Sequence, residues 1–317
     1  MGERTRVIAA DADGVAEAAR LLGAGEIVAL PTETVYGLAA DACDGEAVAR
    51  IYAAKGRPSI NPLIVHVPGL SKAEDLVTFD DRARRLAERF WPGPLTLVLP
   101  RREHAGIASL VAAGLPTLAV RTPAHPVMQA VLAATARPLA APSANRSGAI
   151  SPTRAAHAAA SLAGRVPLVL EGGPAAVGLE SAIVSVLPDE PARLLRPGAV
   201  TAEALEEVLG EPLATAGEGI SAPGQLASHY APAKPLRLGA TEARAGEWLI
   251  GFGAVEGDVN LSPAGDLGQA AARLFDLLHQ ADAARRPAIA VAPVPERGLG
   301  IAINDRLRRA AAPRSQG

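Results

Sequence analysis

Cysteine is nearly missing: Cys43 is the only one in 317 residues. No internal disulfide can form, which suits a reducing cytoplasm. The six histidines, at positions 66, 104, 125, 157, 229 and 279, make no HxxxH or other close pair, so no dedicated metal site is expected. Aromatic residues make up 3% of the chain; Ala, Val and Leu must fill the core that a 49% hydrophobic content allows. Lysine is confined to Lys55, Lys72 and Lys234, and the formal net charge is -2. That balance argues against a chain that coats nucleic acid, though not against a local basic patch. No run of 18 apolar residues free of charge occurs, so no membrane span is expected. The opening MGERTRVIAADADG lacks the apolar centre of a signal peptide, and a cytoplasmic location is expected. There is no GxxxxGKS/T and no GxSxG, which excludes an ordinary P-loop and a hydrolase elbow. GFGAVEG at 251–257 has the spacing GxGxxxG and is followed by no helical pattern, so it reads as loop punctuation.

The length suits about two domains. Periodicity predicts helices over 14–22, 46–54 (capped by Asp44), 80–90, 125–134 (Pro126 in the first turn), 153–162 and 201–209. Short apolar runs predict strands at 27–30, 63–67, 95–99, 117–121, 139–141, 168–170, 181–187 and 193–195. Several strands follow one another without a helix, so the fold class is α/β with an α+β-like mixed sheet rather than strict alternation. Residues 210–235 are rich in Gly, Pro, Ala and Ser without periodicity, the composition of a linker. Beyond them, strands at 247–252 and 288–292 and helices at 267–281 and 300–311 form a smaller α/β unit. The expected division is 1–209, a linker at 210–235, and 236–317.

Certain stretches concentrate chemistry. LPTETVYGLAADA (30–42) leaves an apolar strand into Thr32, Glu33, Thr34 and Tyr36, at the kind of strand end where α/β proteins bind ligands. KGRPSINPLIVHV (55–67) sets Lys55 and Arg57 on a turn stiffened by Pro58, a plausible anion clamp or simply a solvated basic turn. His66 lies inside an apolar strand on the same face as Ile64; such a histidine is more often a core residue than a catalyst. RTPAHP places Arg121 at a strand end, suited to a carboxylate or to an ordinary ion pair. APSANRSGAISPT (141–153) crowds Ser143, Asn145, Ser147 and Ser151 into a loop long enough to suggest function. The helix expected near Thr153 would add its dipole to an anion field. GLESAIVSV, with Glu180 and Ser181, and LLRPGAV, with Arg196, each read alone as plain turns.

Taken in order, PTETVYGLAADA, KGRPSINPLIVHV, FWPGPLTLVLP, AVRTPAHP, APSANRSGAISPT and LLRPGAV resemble the YrdC/Sua5 family of threonylcarbamoyl-adenylate synthases. HYAPAKPL and GLGIAINDRLRRAA resemble its two-domain Sua5 branch, so the likeness spans nearly the whole chain. It implies a YrdC-like twisted sheet with a positively lined cavity, a Rossmann-like C-terminal domain and a linker crossing the cavity mouth. It implies a nucleotidyltransferase: L-threonine, bicarbonate and ATP, with Mg²⁺ on the phosphates, would give L-threonylcarbamoyl-AMP, diphosphate and water. The product would feed t6A37 modification of tRNA through a downstream transfer machinery, with direct tRNA contact not required and no membrane involved. By the same resemblance Thr34, His66, Arg121, the backbone at Ala141 and Ser181 would bind threonine. Arg57, Asn61, Thr117, Ser143, Asn145, Ser151, Arg196 and Tyr230 would bind ATP, and Lys55 and Arg57 would be catalytic, with no protein-held metal. The sequence departs from the family pattern at Ala182 and Ser185, where a threonine and an aspartate are expected.

The implied chemistry is physically coherent. A carbamate is a weak anionic nucleophile that must approach the phosphates of another anion, and Lys55, Arg57, Arg121 and Arg196 would offset the repulsion. An alternative, a YrdC-like module that binds double-stranded RNA on a basic face, is disfavoured by the net charge and scarce lysine. Ser228, His229 and Tyr230 are unusual for a pure spacer, so the linker is expected to act as a lid with Tyr230 reaching ATP.

Overall fold

The computed structural model describes residues 5–215 and 229–313. The larger of its two sheets contains β1 (Arg6–Ala9), β2 (Val28–Leu30), β3 (Gly37–Asp41), β4 (Ile64–His66), β5 (Leu95–Pro100), β6 (Thr117–Arg121), β7 (Leu139–Ala140), β8 (Leu168–Glu171), β9 (Ala182–Ser185), β10 (Arg193–Arg196) and β11 (Ala214–Thr215). Their spatial order is β1-β8-β2-β3-β7-β4-β6-β5-β9-β10-β11. The pairing is mixed. β4 runs parallel to β6 with His66 opposite Arg121, whereas β7 is antiparallel to β4 and β5 to β6. The mixed sheet expected from consecutive strands is therefore what forms.

The helices of this unit are α1 (Ala12–Gly23), α2 (Gly45–Lys55), α3 (Leu70–Glu74), α4 (Asp81–Phe90), α5 (Ser109–Ala112), α6 (Pro126–Thr135), α7 (Ala155–Ser161) and α8 (Ala202–Leu209). Asp44, Asp80 and Thr201 cap α2, α4 and α8 by accepting backbone N–H bonds, as short polar side chains at helix starts do. Strand β3 has no counterpart in the sequence pattern. Its residues, GLAAD, have low strand propensity, and only pairing between β2 and β7 makes them a strand.

The smaller sheet is wholly parallel, in the order β12 (Leu236–Arg237), β15 (Ala288–Val291), β13 (Glu247–Gly251), β14 (Val259–Asn260). Helices α9 (Leu267–Ala283) and α10 (Leu299–Ala311) bury Leu274, Phe275, Leu278, Ile303 and Leu307 in its apolar core. The segment expected as a linker is structured at both ends. Ala214–Thr215 pairs with β10, and Ala231 bridges to Ala149. Residues 216–228, including Ser228, lie outside the described residues. Among the described residues no helix is long and apolar enough to cross a membrane.

Two features of the fold prepare a cavity. Alternation gives the central strands distinct faces. Val65, Val120, Leu97 and Val184 join the main core, while Ile64, Val98, Ala119, Ile183 and Leu195 form a small apolar floor on the other side. His66 shares that side with Ile64, Arg121 with Ala119, Thr96 with Val98, and Ser181 with Ile183. The two units also approach closely. At Gly178, whose φ is 72°, a Cβ would lie 2.5 Å from the Cα of Ala272 on α9, so only glycine fits there.

Candidate active site

Above that floor sits a cavity of about 50 Å³, walled by segments between Thr32 and Tyr230. The 31–36 loop and the 141–153 loop are zipped together by backbone bonds from Tyr36 to Pro152, Leu38 to Pro142 and Ala144 to Tyr36. Thr32, Thr34, Ala141, Pro142 and Ser143 thus line one wall. Of the hydroxyls expected at this loop, one points elsewhere: the Tyr36 hydroxyl donates to the Gly173 carbonyl, 2.7 Å away, and accepts from Gly172 N–H. Tyr36 is an anchor for the loop, not part of the wall.

Arg121 organises the first end of the cavity. Its Nη2 donates to Glu33 Oε1 at 2.6 Å, Nη1 to Thr34 Oγ1 at 2.9 Å, and Nε to the Gly93 carbonyl at 3.1 Å. The carbonyl comes from the WPGP turn, which gives the FWPGP stretch its part in the site. A guanidinium has five N–H donors, so two remain beyond these three bonds. Glu33 sits below the usual carboxylate range: burial alone would push it up, but the Arg121 charge and a backbone N–H outweigh burial. His66 lines the same end, with Nδ1 buried and unpartnered. Burial, and then the nearby Arg121 charge, push its pKa down to about 3, so the imidazole is neutral. Ser181 Oγ lies 2.7 Å from Thr96 Oγ1.

Arg57, Arg196, His229 and Tyr230 line the other end. Arg57 donates to the carbonyls of Asn61 (3.2 Å) and Pro62 (2.9 Å). Burial pulls its pKa to about 10, which leaves it charged at neutral pH. Arg196 donates through Nε and Nη2 to the Ser181 carbonyl and through Nη2 to Ser181 Oγ. Gly198 is required behind it, since a Cβ there would stand 2.1 Å from Ala182 N. Tyr230 holds a left-handed φ of 63°, with its hydroxyl buried and unpartnered and its ring against His229 and Phe275.

Not every expected residue reaches this wall. Lys55, fully desolvated, donates Nζ to the carbonyls of Ser143 and Asn145; burial, then Arg57, push its pKa well down. It holds the 143–145 loop in place. Asn145 donates to the carbonyls of Arg146 and Ala149, and Ser151 donates to Glu180; both shape the loop from behind. Asn61 is buried with its side-chain amide unpartnered beside Arg57, outside the cavity lining. Thr117 stands at the opposite end of β6 from Arg121, some 13 Å along the strand at about 3.3 Å per residue. The helix expected near Thr153 begins at Ala155, has seven residues and no side-chain cap, and Thr153 does not line the cavity. No helix dipole is aimed into the site from there. Ala182 faces the main core, away from the cavity, so its missing hydroxyl leaves the wall unchanged.

Other residues of the site carried little or no signal in the sequence. Glu180 lines the cavity and accepts from Ser151 Oγ and from Arg306 Nε at 2.9 Å. Arg306 comes from α10, 126 residues further on. Its clue is positional: with Ile303, Leu307 and Ala310 it falls on the buried stripe of α10, where an arginine demands a partner. Among the described residues no three of His, Cys, Asp and Glu gather to hold a metal. Glu180, the carboxylate in the lining, is already engaged.

Comparison with known proteins places the chain in a family. The family model Sua5_yciO_yrdC, described as telomere recombination, matches residues 20–198. The model for the threonylcarbamoyl-AMP synthase C-terminal domain matches residues 200–312. The chain belongs to the Sua5/YrdC family. It is 41% identical to the threonylcarbamoyl-AMP synthase of Bacillus subtilis, over 95% of this chain and 93% of that one. It is 39% identical to that of Pyrococcus abyssi, over 93% of each. The crystal structure of P. abyssi Sua5 complexed with L-threonine superposes with a TM-score of 0.85 at 36% identity, covering 94% of both chains. The likeness in fold thus covers 94% of the chain.

Proposed function

We propose that this protein is an L-threonylcarbamoyl-AMP synthase, a nucleotidyltransferase acting in the cytoplasm. The observation that carries the proposal is the charge inside the cavity region. Arg57, Arg121 and Arg196 line the cavity and are each no more than 9% exposed. Glu33 answers Arg121, while Arg57 donates to carbonyl oxygens. Buried cations without a matching carboxylate are costly unless an anionic ligand completes the site. They are also the wrong cations for double-stranded RNA, whose backbone needs charge displayed on a surface.

In this scheme the two spare N–H groups of Arg121 take the threonine carboxylate, while Thr34 and Ser181 meet its hydroxyl and neutral His66 packs beside it. Arg57 and Arg196 take the phosphates of ATP, with the carbonyls and amides of 141–145 beside them and Tyr230 covering the nucleotide. Asn61, Asn145 and Ser151 support the nucleotide end, and Thr117, at the far end of β6, is not used. Threonine's amine and bicarbonate give the carbamate and water. A carbamate oxygen then attacks the α-phosphorus, diphosphate leaves, and Arg57 and Arg196 stabilise the charge that builds on the phosphate. Mg²⁺ would ride on the nucleotide's phosphates, since the cavity lining offers it no ligand set. The product, a mixed anhydride, is handed on for transfer to tRNA, so the site itself needs no RNA surface.

Incubation with ATP, Mg²⁺, threonine and labelled bicarbonate tests the proposal. Label should enter an adenylate, with diphosphate released only when all three substrates are present. Diphosphate release that ignores threonine or bicarbonate would refute it.

A further inference from the structure

Glu180 is a misplaced charge by the logic of this cavity: a carboxylate in the wall of a site built for a polyanion. It stands within electrostatic reach of Arg196. Left uncompensated, it would repel phosphates and draw Arg196 away from them. One side chain of the other unit prevents this. Arg306 is fully buried, donates Nε to Glu180 Oε2 at 2.9 Å, and donates Nη1 to the Pro197 carbonyl at 2.9 Å and to Asp305 Oδ2 at 2.8 Å. Its guanidinium lies 5.3 Å from the Tyr230 ring centroid, within cation–π range. Arg306 is not itself in the cavity lining, so it touches the wall residues rather than the contents.

We propose that Arg306 is a positioning residue through which the C-terminal unit neutralises Glu180, so that the nucleotide end of the cavity keeps its positive excess. The inference rests on ATP being the anion taken there. It gives the second unit a definite duty: a charge delivered from α10 into the back of the first unit's site.

The prediction is a rescue. In the full-length protein, Arg306→Met leaves Glu180 as a bare carboxylate, and ATP affinity should fall at least about tenfold. Adding Glu180→Gln removes that charge while Gln can still accept from Ser151, so Arg306→Met/Glu180→Gln should bind ATP within about threefold of the unchanged protein. Arg306→Lys, which keeps the charge, should also stay within about threefold. Affinities are read by titration calorimetry with ATP and, as a second probe, inorganic tripolyphosphate. If Arg306→Met does not fold, the double variant carries the test, because it buries no unpaired charge. A double variant still weakened tenfold, or an Arg306→Met protein that binds ATP as well as or better than the unchanged one, overturns the inference. If the unchanged protein binds tripolyphosphate but not ATP, the proposed function fails while the rescue pattern is still read on tripolyphosphate. Binding of neither probe overturns both.

Discussion

At one end of the cavity Arg121 meets a carboxylate, Glu33, at 2.6 Å; at the other, Arg57 is held by the carbonyls of Asn61 and Pro62. The first arrangement fixes a guanidinium in direction while cancelling its charge. The second fixes direction and leaves the charge. An amino acid carries one carboxylate, one amine and, for threonine, one hydroxyl; it needs aimed donors rather than a strong field. A nucleoside triphosphate needs the field. The same residue type thus serves two purposes, and the partner on its far side decides which.

The largest expected effect comes from removing the uncancelled charge. Arg57→Ala should slow diphosphate release by roughly 10- to 100-fold, since a hydrogen bond to a charged group contributes about 1.5–3 kcal/mol. Lys55→Ala should also cost more than about tenfold, by releasing the Ser143 and Asn145 carbonyls rather than by losing a phosphate contact. Near-normal turnover in both would break the distinction between the ends. Next comes selectivity at the balanced end. Valine matches threonine in shape but leaves the partners of its hydroxyl unpaired, so the unchanged protein should strongly prefer threonine. Thr34→Val should lower that preference at least about tenfold, measured as the ratio of kcat/KM values. An unaltered ratio would remove Thr34 from the hydroxyl's surroundings.

A smaller effect concerns His66. Its folded pKa of about 3 lies below the ordinary value of 6.5, so above pH 6.5 its neutral form is present in folded and unfolded chains alike. As pH falls from about 6.5 towards 3, only the unfolded chain takes up the proton, and stability drops by about 1.4 kcal/mol per pH unit. Urea unfolding at pH 5.5 and pH 4.5 should show that loss in the unchanged protein beyond the loss in His66→Asn. Equal losses in both would contradict a desolvated neutral imidazole. The smallest effect lies outside the cavity. The Arg154–Asp276 pair also joins the two units, at 2.6 Å, but Arg154 is half exposed. Asp276→Asn should cost no more than about 1 kcal/mol in urea unfolding and leave ATP binding unchanged. A loss of ATP affinity would mean that the contact between units matters in itself, and not through Arg306.

The elements of this site were legible to different depths. Alternation along LIVHV correctly placed His66 beside Ile64, because a two-residue period is local information. Arg121 at a strand end and Thr34 after a buried strand were visible for the same reason. Glu180, Thr96 and Arg306 were not, because each acquires its meaning from a partner 85 or more residues away. Lys55 was visible as a cation but not as a loop strut, since its two acceptors lie 88 and 90 residues on. Strand β3 escaped because its alanines and glycine become a strand only through their neighbours in the sheet.

The central claim is that the two ends take different substrates, and binding measured separately at each end tests it most directly. ATP and threonine are titrated calorimetrically into the unchanged protein, Arg57→Ala and Thr34→Val. Arg57→Ala should lose at least about tenfold in ATP affinity with threonine affinity within about twofold, and Thr34→Val should show the reverse. Equal losses of both ligands in either variant, or losses with the ligands exchanged, would contradict the account.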